Sequence, residues 1–396
     1  MRYLFGDYAL VPETRELTSA GRPCLVEPQV FDLLVFLLRE RERVISVDEL
    51  IQAVWNGRIV SDSATSARIS AARAAIGDDG TAQRWIRTIR RRGFRFVGAV
   101  EETEAAAHPP ASGGRQRVAL CRSADGTRIA YATGGTGYPL VKAGHWLTHL
   151  EHDRQSPIWR PLLERLERRF RLVRYDQRGN GLSDWDIADL SLDRFVEDLE
   201  AVVDAAGLGR FALYGTSQGA PIAVAYAHRH PDRVSHLVLH GGFEKGRLLR
   251  LSERERVEGE AILTLIRHGW GRPGSPFIDA FATMFIPEGS REQIDSLVDL
   301  QRLTTSPENA AALRAAIDRF DVSGRIGEIA TPTLVIHARD DGVQPLEEGR
   351  ALAARIPDAE FLLLEGRNHV VLPQEKAWPV LFGEIERFIL GGAAPV

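Results

Sequence analysis

The sequence predicts an α/β protein in two parts: a small N-terminal domain of helices closed by a basic hairpin, then a large domain whose mostly parallel sheet is covered by helices on both faces. Three observations carry this. From residue 118 on, β-type apolar pieces alternate with helical ones, the pattern of parallel strands joined by crossover helices. Before residue 100, three helix signals lead into two β-rich segments. Between them, 101–117 has no large apolar side chain but holds a Pro-Pro and a Gly-Gly pair, which reads as a linker. The expected domains are therefore 1–100 and 118–396.

In the small domain, Tyr3 to Leu17 suggests short strands broken by Gly6-Asp7 and Pro12-Glu13. Val30, Leu33, Leu34, Leu37 and Leu38 then fall on one face of a helix starting near Pro28. Ser46 precedes Glu49 by three, a capping-box spacing, so a second helix is expected over about 47–55. Ser61 and Asp62 offer N-cap chemistry for a third helix over about 63–76, closed by Gly77. Thr65, Ile69, Ala72 and Ile76 share one face of it. Ser63, Ser66, Ala67, Ser70 and Ala74 lie opposite, flanked by Arg68 and Arg73, which suits a helix laid against a polyanion.

Trp85–Ile89 and Phe94–Val97 then read as a hairpin whose tip is Arg90, Arg91, Arg92 and Gly93. Residues 84–95 hold six Arg and no acid. Helices followed by such a hairpin make a winged helix-turn-helix, with the third helix in the major groove and the wing on the backbone. The candidate DNA contacts are Ser63, Ser66, Arg68, Ser70, Arg73, Arg90, Arg91 and Arg92.

Net charge of -4 hides this division. Residues 1–100 carry 15 Arg, no Lys and 12 acids, a local +3 that leaves -7 for the remainder. With Pro28–Leu34, Asp48–Trp55 and Arg87–Phe96, the first hundred residues resemble the DNA-binding domain of OmpR/PhoB-type bacterial transcription regulators. The resemblance implies binding to double-stranded promoter DNA. The Ala- and Ser-rich third helix implies sparse base readout that leans on phosphate contacts and DNA shape.

In the large domain, the apolar strand Phe211–Tyr214 runs into Gly215-Thr216-Ser217-Gln218-Gly219 and then an Ala/Val-rich helix. A Gly-x-Ser-x-Gly turn between strand and helix is a nucleophile elbow, with the serine held at the sharp turn. A serine hydroxyl needs a general base and a carboxylate to orient that base, both downstream in this arrangement. Strand Thr333–His337 leads to Asp340 and Asp341, and strand Phe361–Leu364 leads to His369, the required order.

With the Tyr175–Asp184 turn, these motifs resemble the α/β-hydrolase superfamily over about 118–392. That resemblance favours Asp341 over Asp340, because the family's acid precedes the loop proline by four positions and Pro345 fits. The expected catalytic set is Ser217, Asp341 and His369. The oxyanion hole would use the backbone N–H of Gln218 and a second donor from His145 or Trp146. His145, His149 and His152 with Glu151 are read as pocket lining rather than a metal cluster, and no cofactor motif stands out. A helical lid is expected over about 243–329, with Trp270, Phe277, Phe281, Met284 and Phe285 closing an apolar pocket.

Together the halves suggest a one-component transcription regulator that senses, or also hydrolyses, a small hydrophobic or acyl-type ligand. The alternative is an active serine ester or C–C bond hydrolase with an N-terminal assembly module; a regulator that destroys its own inducer combines both. A homodimer is expected because such regulators read paired half-sites. Two cysteines, Cys24 and Cys121, and no long apolar run point to a cytoplasmic protein without a membrane partner.

Overall fold

The computed structural model describes residues 2–12, 16–19, 22–24, 26, 28–55, 62–89, 92–103, 116–250, 252–270 and 276–391. The chain divides into two compact units, Met1–Ala111 and Ser112–Val396.

The first unit opens with strands β1 (Arg2–Phe5), β2 (Tyr8–Val11), β3 (Glu16–Ser19) and β4 (Arg22–Pro23). Helices α1 (Pro28–Arg39), α2 (Val47–Trp55) and α3 (Asp62–Ala75) follow, then the hairpin β5 (Ile86–Ile89) and β6 (Gly93–Phe96), and last β7 (Glu101–Thr103). The five strands outside the hairpin form one antiparallel sheet in the order β4-β3-β2-β1-β7. Val30, Leu33, Leu34, Leu37 and Leu38 of α1 are buried as their spacing requires, against Ile69 and Ala72 of α3 and Ile76 just beyond its end. Before α2, Glu49 N–H donates to Ser46 Oγ at 3.2 Å and Ser46 N–H to Glu49 Oε2 at 2.9 Å, closing the capping box.

One boundary differs from the linker read over 101–117. Glu101–Thr103 pairs with β1, Leu4 opposite Glu101 and Arg2 opposite Thr103. Backbone hydrogen bonding to an open sheet edge needs no apolar side chain, so composition alone did not reveal it. Arg117 likewise begins a strand of the second unit.

In the second unit the chain runs β8 (Arg117–Arg122), β9 (Arg128–Gly134), β10 (Tyr138–Lys142), α4 (Trp159–Glu167), β11 (Phe170–Tyr175), α5 (Leu192–Ala205), β12 (Phe211–Thr216), α6 (Gly219–Arg229) and β13 (Val234–His240). Four helices then intervene: α7 (Glu253–Gly269), α8 (Pro276–Phe285), α9 (Arg291–Thr304) and α10 (Pro307–Ile317). The main layer resumes with β14 (Thr333–Ala338), α11 (Leu346–Arg355), β15 (Glu360–Leu364) and α12 (Ala377–Leu390).

The eight strands are ordered β15-β14-β13-β12-β10-β11-β9-β8, parallel from β11 through β15 with an antiparallel start at β8 and β9. Every residue of β12 and of β14 is buried, so both faces of the central sheet are covered, as a parallel sheet requires. Helices α7–α10 form the insert expected as a lid. Among the described residues no helix is long and apolar enough to cross a membrane, and Cys24 and Cys121 form no disulfide.

Candidate functional site

Ser217 lies between β12 and α6 with φ of +54°, a left-handed conformation that a serine rarely adopts. Its N–H donates to the His240 carbonyl at 2.9 Å, and its carbonyl accepts from Ala220 N–H at 3.0 Å, so the strain is held from both sides. The flanking glycines are required by crowding. A Cβ on Gly215 would fall 2.5 Å from the Gly219 carbonyl oxygen, and one on Gly219 would fall 3.0 Å from that of Gly144.

Asp341 follows β14. Its Oδ1 accepts the N–H groups of Val343 (2.8 Å) and Gln344 (3.0 Å), while Oδ2 lies 2.6 Å from His369 Nδ1. Burial pushes this carboxyl up, but the neighbouring His369 and the two backbone donors outweigh it and hold the group below the ordinary carboxylate range. Asp340, the other acid of the loop, is exposed and donates its N–H to Gly366. His369 is fixed by its own N–H to the Phe285 carbonyl at 2.8 Å and by an edge contact with the Phe285 ring. Its Nε2 is buried with no hydrogen-bond partner, and the side chain lines the same cavity as Ser217.

That cavity, about 520 Å³ of space that is in part open to solvent, is walled mainly by apolar side chains, among them Leu147, Ile158, Phe281 and Leu300. Of the five lid side chains singled out in the sequence, Phe281 and Phe285 line it directly. Trp270 meets Trp146 edge-on, Phe277 packs on Phe281, and Met284 is exposed.

The oxyanion candidates gather at the mouth of α6. Gln218 stands at the N-terminus of α6, where a first-turn N–H has no partner within the helix. His145 and Trp146 line the cavity. His145 stacks on Trp159 at 4.6 Å, and burial drives its imidazole well below its ordinary value, so it is neutral. His149 and His152 do not line the cavity; His152 faces the Ser296 carbonyl.

Sequence reading missed two supporting residues. The Gln177 amide donates to the Trp146 carbonyl at 3.0 Å and accepts from Gln218 Nε2, tying the loop after β10 to the elbow. His337 puts Nε2 3.0 Å from the Gln344 carbonyl and 3.8 Å from Asp341 Oδ2, bracing the acid loop. A turn glutamine and a strand histidine carry no pattern of their own; only the fold brings them to the site.

In the first unit, Ser66 and Ser70 are exposed on α3, with Ser70 Oγ donating to the Ser66 carbonyl at 3.0 Å. Ser63 belongs to the same helix, Arg68 is half-buried, and Arg92 at the hairpin tip is exposed. Arg90 and Arg91 lie outside the described residues. Arg73 corrects the expectation of a DNA-facing flank. It is buried, donating through Nε and Nη2 to the Ile86 carbonyl (3.0 and 2.8 Å) and through Nη2 to Thr88 Oγ1 (2.9 Å). It lies four residues after buried Ile69, at the edge of the inward face, and bonds α3 to the hairpin. Arg84 and Arg87, counted in the sequence only as part of the basic run, are exposed on or beside β5.

A family model described as alpha/beta hydrolase fold matches residues 154–376, and one described as transcriptional regulatory protein, C terminal, matches residues 21–96. The chain is 28% identical over 222 residues to the putative carbamate hydrolase RutD of Agrobacterium fabrum, covering 54% of this chain and 82% of that protein. It is 27% identical over 246 residues to the pimeloyl-[acyl-carrier protein] methyl ester esterase of Nitrosomonas europaea, covering 61% and 92%. A hydrolase of known structure from Pseudomonas aeruginosa superposes with a TM-score of 0.58 at 24% identity, over 71% of this chain and 100% of that chain.

Proposed function

From the premise that the chain belongs to the alpha/beta hydrolase fold family and carries a transcriptional-regulator DNA-binding domain ahead of it, we propose that it is a one-component transcription regulator whose second unit captures and hydrolyses a small apolar ester. The observation that carries this reading is His369, bonded to Asp341 on one nitrogen and open on the other, beside Ser217 in an apolar cavity.

In the proposed reaction, Ser217 Oγ gives its proton to His369 Nε2 and attacks the ester carbonyl, while Asp341 stabilises the imidazolium. The N–H of Gln218, with that of His145 or Trp146, receives the developing oxyanion. Breakdown transfers the His369 proton to the leaving alcohol, and a water then repeats the sequence on the acyl-serine. The activities for which the two relatives are named, carbamate and methyl ester hydrolysis, are of the same acyl-transfer type.

DNA binding falls to exposed Ser66, Ser70 and Arg92 with Arg68, and to Ser63, Arg90 and Arg91, on a homodimer reading paired half-sites in the cytoplasm. Ligand occupancy regulates transcription to the extent that the liganded and free forms differ in DNA affinity. The hydrolase relatives favour a second reading, an ester hydrolase with an assembly module in front.

The first of two measurements separates the readings, and the second tests the hydrolysis that both contain. Gel shifts of the intact protein on the DNA upstream of its own gene are expected to show binding that weakens steeply with salt. Absence of binding at low salt leaves the hydrolase reading alone. Turnover of p-nitrophenyl butyrate is expected in the wild type and not in Ser217→Ala; equal rates in both remove Ser217 as nucleophile.

A further inference from the structure

Four polar side-chain groups of the cavity wall have no role in the chemistry above and no partner: the Thr216 hydroxyl, which adjoins the nucleophile, and three others. The Gln301 carboxamide oxygen, on α9, is buried without a hydrogen bond, in a side chain only 1% exposed. The indole Nε1 atoms of Trp146 and Trp159 are likewise buried and unpaired. All three side chains line the Ser217 cavity. Two other indoles of the same unit are satisfied: Trp270 donates to the Thr305 carbonyl at 3.3 Å and Trp185 to that of Gly181 at 2.9 Å.

Buried polar atoms in folded proteins are nearly always paired, so several exceptions among the side chains that line one cavity call for a partner that comes from outside. The chemistry of the three is specific. Each indole offers a donor only, and the carboxamide offers both a donor and an acceptor. Among the described lining residues none is Asp, Glu, Lys or Arg, and burial keeps His145 neutral. A charged ligand group would enter this apolar space without a counter-ion, which disfavours it strongly.

We propose that the cavity takes an uncharged acyl ester whose chain carries a group that both donates and accepts a hydrogen bond, a hydroxyl foremost, and that Gln301 selects it, with Trp146 and Trp159 as the accompanying donors. A hydroxyl can donate to the Gln301 oxygen while accepting from an indole N–H. A plain hydrocarbon chain leaves all three groups unpaired. A site built to bond a substrate hydroxyl discriminates against the analogue that lacks it far more strongly than an apolar pocket discriminates by size. The proposal rests on the ester-hydrolysis reading for its rate measurement, though not for its binding measurement.

The test compares p-nitrophenyl hexanoate with p-nitrophenyl hexanoates carrying a hydroxyl at C3 or C6, positions from which the hydroxyl does not readily close a lactone on the activated carbonyl. The wild type is expected to prefer at least one hydroxylated probe by about tenfold or more in kcat/KM. Gln301→Met, similar in length and volume, is expected to bring that ratio close to one. It is also expected to melt no lower than the wild type, because it removes a buried unsatisfied amide. A wild type indifferent to the hydroxyl, or a preference undiminished in Gln301→Met, overturns the proposal.

If no ester is hydrolysed, the hydrolytic reading fails and binding decides. Ser217→Ala is then melted with ethyl 3-hydroxyhexanoate and with ethyl hexanoate. Stabilisation by the hydroxyester alone, lost when Gln301→Met is added, upholds the assignment. Equal response to both esters, or to neither, overturns it.

Discussion

His369 Nδ1 stands 2.6 Å from Asp341 Oδ2, and the other oxygen of that carboxylate is held by two backbone N–H groups of its own loop. The acid is thus oriented by the chain before it orients the histidine. In the proposed mechanism it fixes the tautomer that leaves His369 Nε2 free to accept a proton, and it stabilises the imidazolium that results.

Asp341→Asn is expected to lower kcat on p-nitrophenyl butyrate by about 10³–10⁴-fold, because an amide in that place stabilises the wrong tautomer. Asp340→Asn, at an exposed carboxylate outside the site, is expected to leave kcat at the wild-type level. Reversal of that pattern reassigns the acid. Stability should follow the same carboxylate. Its folded pKa is depressed, so its contribution is present above the unfolded value of about 3.9 and is lost as pH falls through the lower folded value. The difference in Tm between wild type and Asp341→Asn is therefore expected to narrow in melts taken below about pH 4.

Arg73 and Arg92 test the proposed division between structural and DNA-contacting arginines within one basic domain. Arg73→Ala leaves the Ile86 carbonyl without its guanidinium donor, and loss of such a buried charge-assisted pair is expected to destabilise the unit by about 1–3 kcal/mol. Arg92→Ala removes an exposed charge from the wing. It is expected to leave Tm unchanged, weaken binding across unrelated sequences, and reduce the salt slope of log K by about one. Calorimetric melts and gel shifts at several salt concentrations check both; a loss of stability in Arg92→Ala contradicts its assignment to solvent.

The features legible in the sequence are those written into short stretches of it. Leu33, Leu34, Leu37 and Leu38 mark one helical face, Ser46 and Glu49 close a cap three residues apart, and Ser217 sits in a five-residue elbow. The remainder depends on partners distant along the chain. Arg73 lies at the edge of a buried face, and only Ile86, thirteen residues on, draws it inward. Gln177 meets the Trp146 carbonyl across thirty-one residues. The strand Glu101–Thr103 has no apolar alternation and is made a strand by β1 at the opposite end of the domain. Gln301 is an ordinary helical glutamine by sequence; its lack of a partner exists only once the cavity is closed around it.

Lys142 provides a pH test that does not pass through catalysis. It ends β10 in register with Arg174 on β11 and Tyr214 on β12, buried, with its ammonium 5.7 Å from the centre of the Trp159 ring. The nearby acid, Asp153, is engaged by Arg174 at 2.9 Å. Burial lowers the Lys142 amine to about 7, against the attraction of Asp153 and with further lowering by Arg174. An unfolded lysine titrates near 10.4. Between about pH 7 and 10.4 the unfolded chain therefore holds more of this proton than the folded one, and stability from this group rises with pH across that window. Below it, the folded protein carries the full penalty of the buried charge. Burial pushes the Asp153 carboxyl up, against the attraction of Arg174 and Lys142. Replacing Lys142 by Met removes the charge but keeps an unbranched chain of similar length, and is expected to stabilise the protein by about 1–4 kcal/mol at pH 6.5. The gain should shrink steadily toward pH 10, where the wild-type amine is neutral in the folded state. Parallel melts of both proteins at pH 6.5, 8.5 and 10 measure it; a gain that does not change with pH, or a loss at pH 6.5, shows that Lys142 is not held uncompensated in the fold.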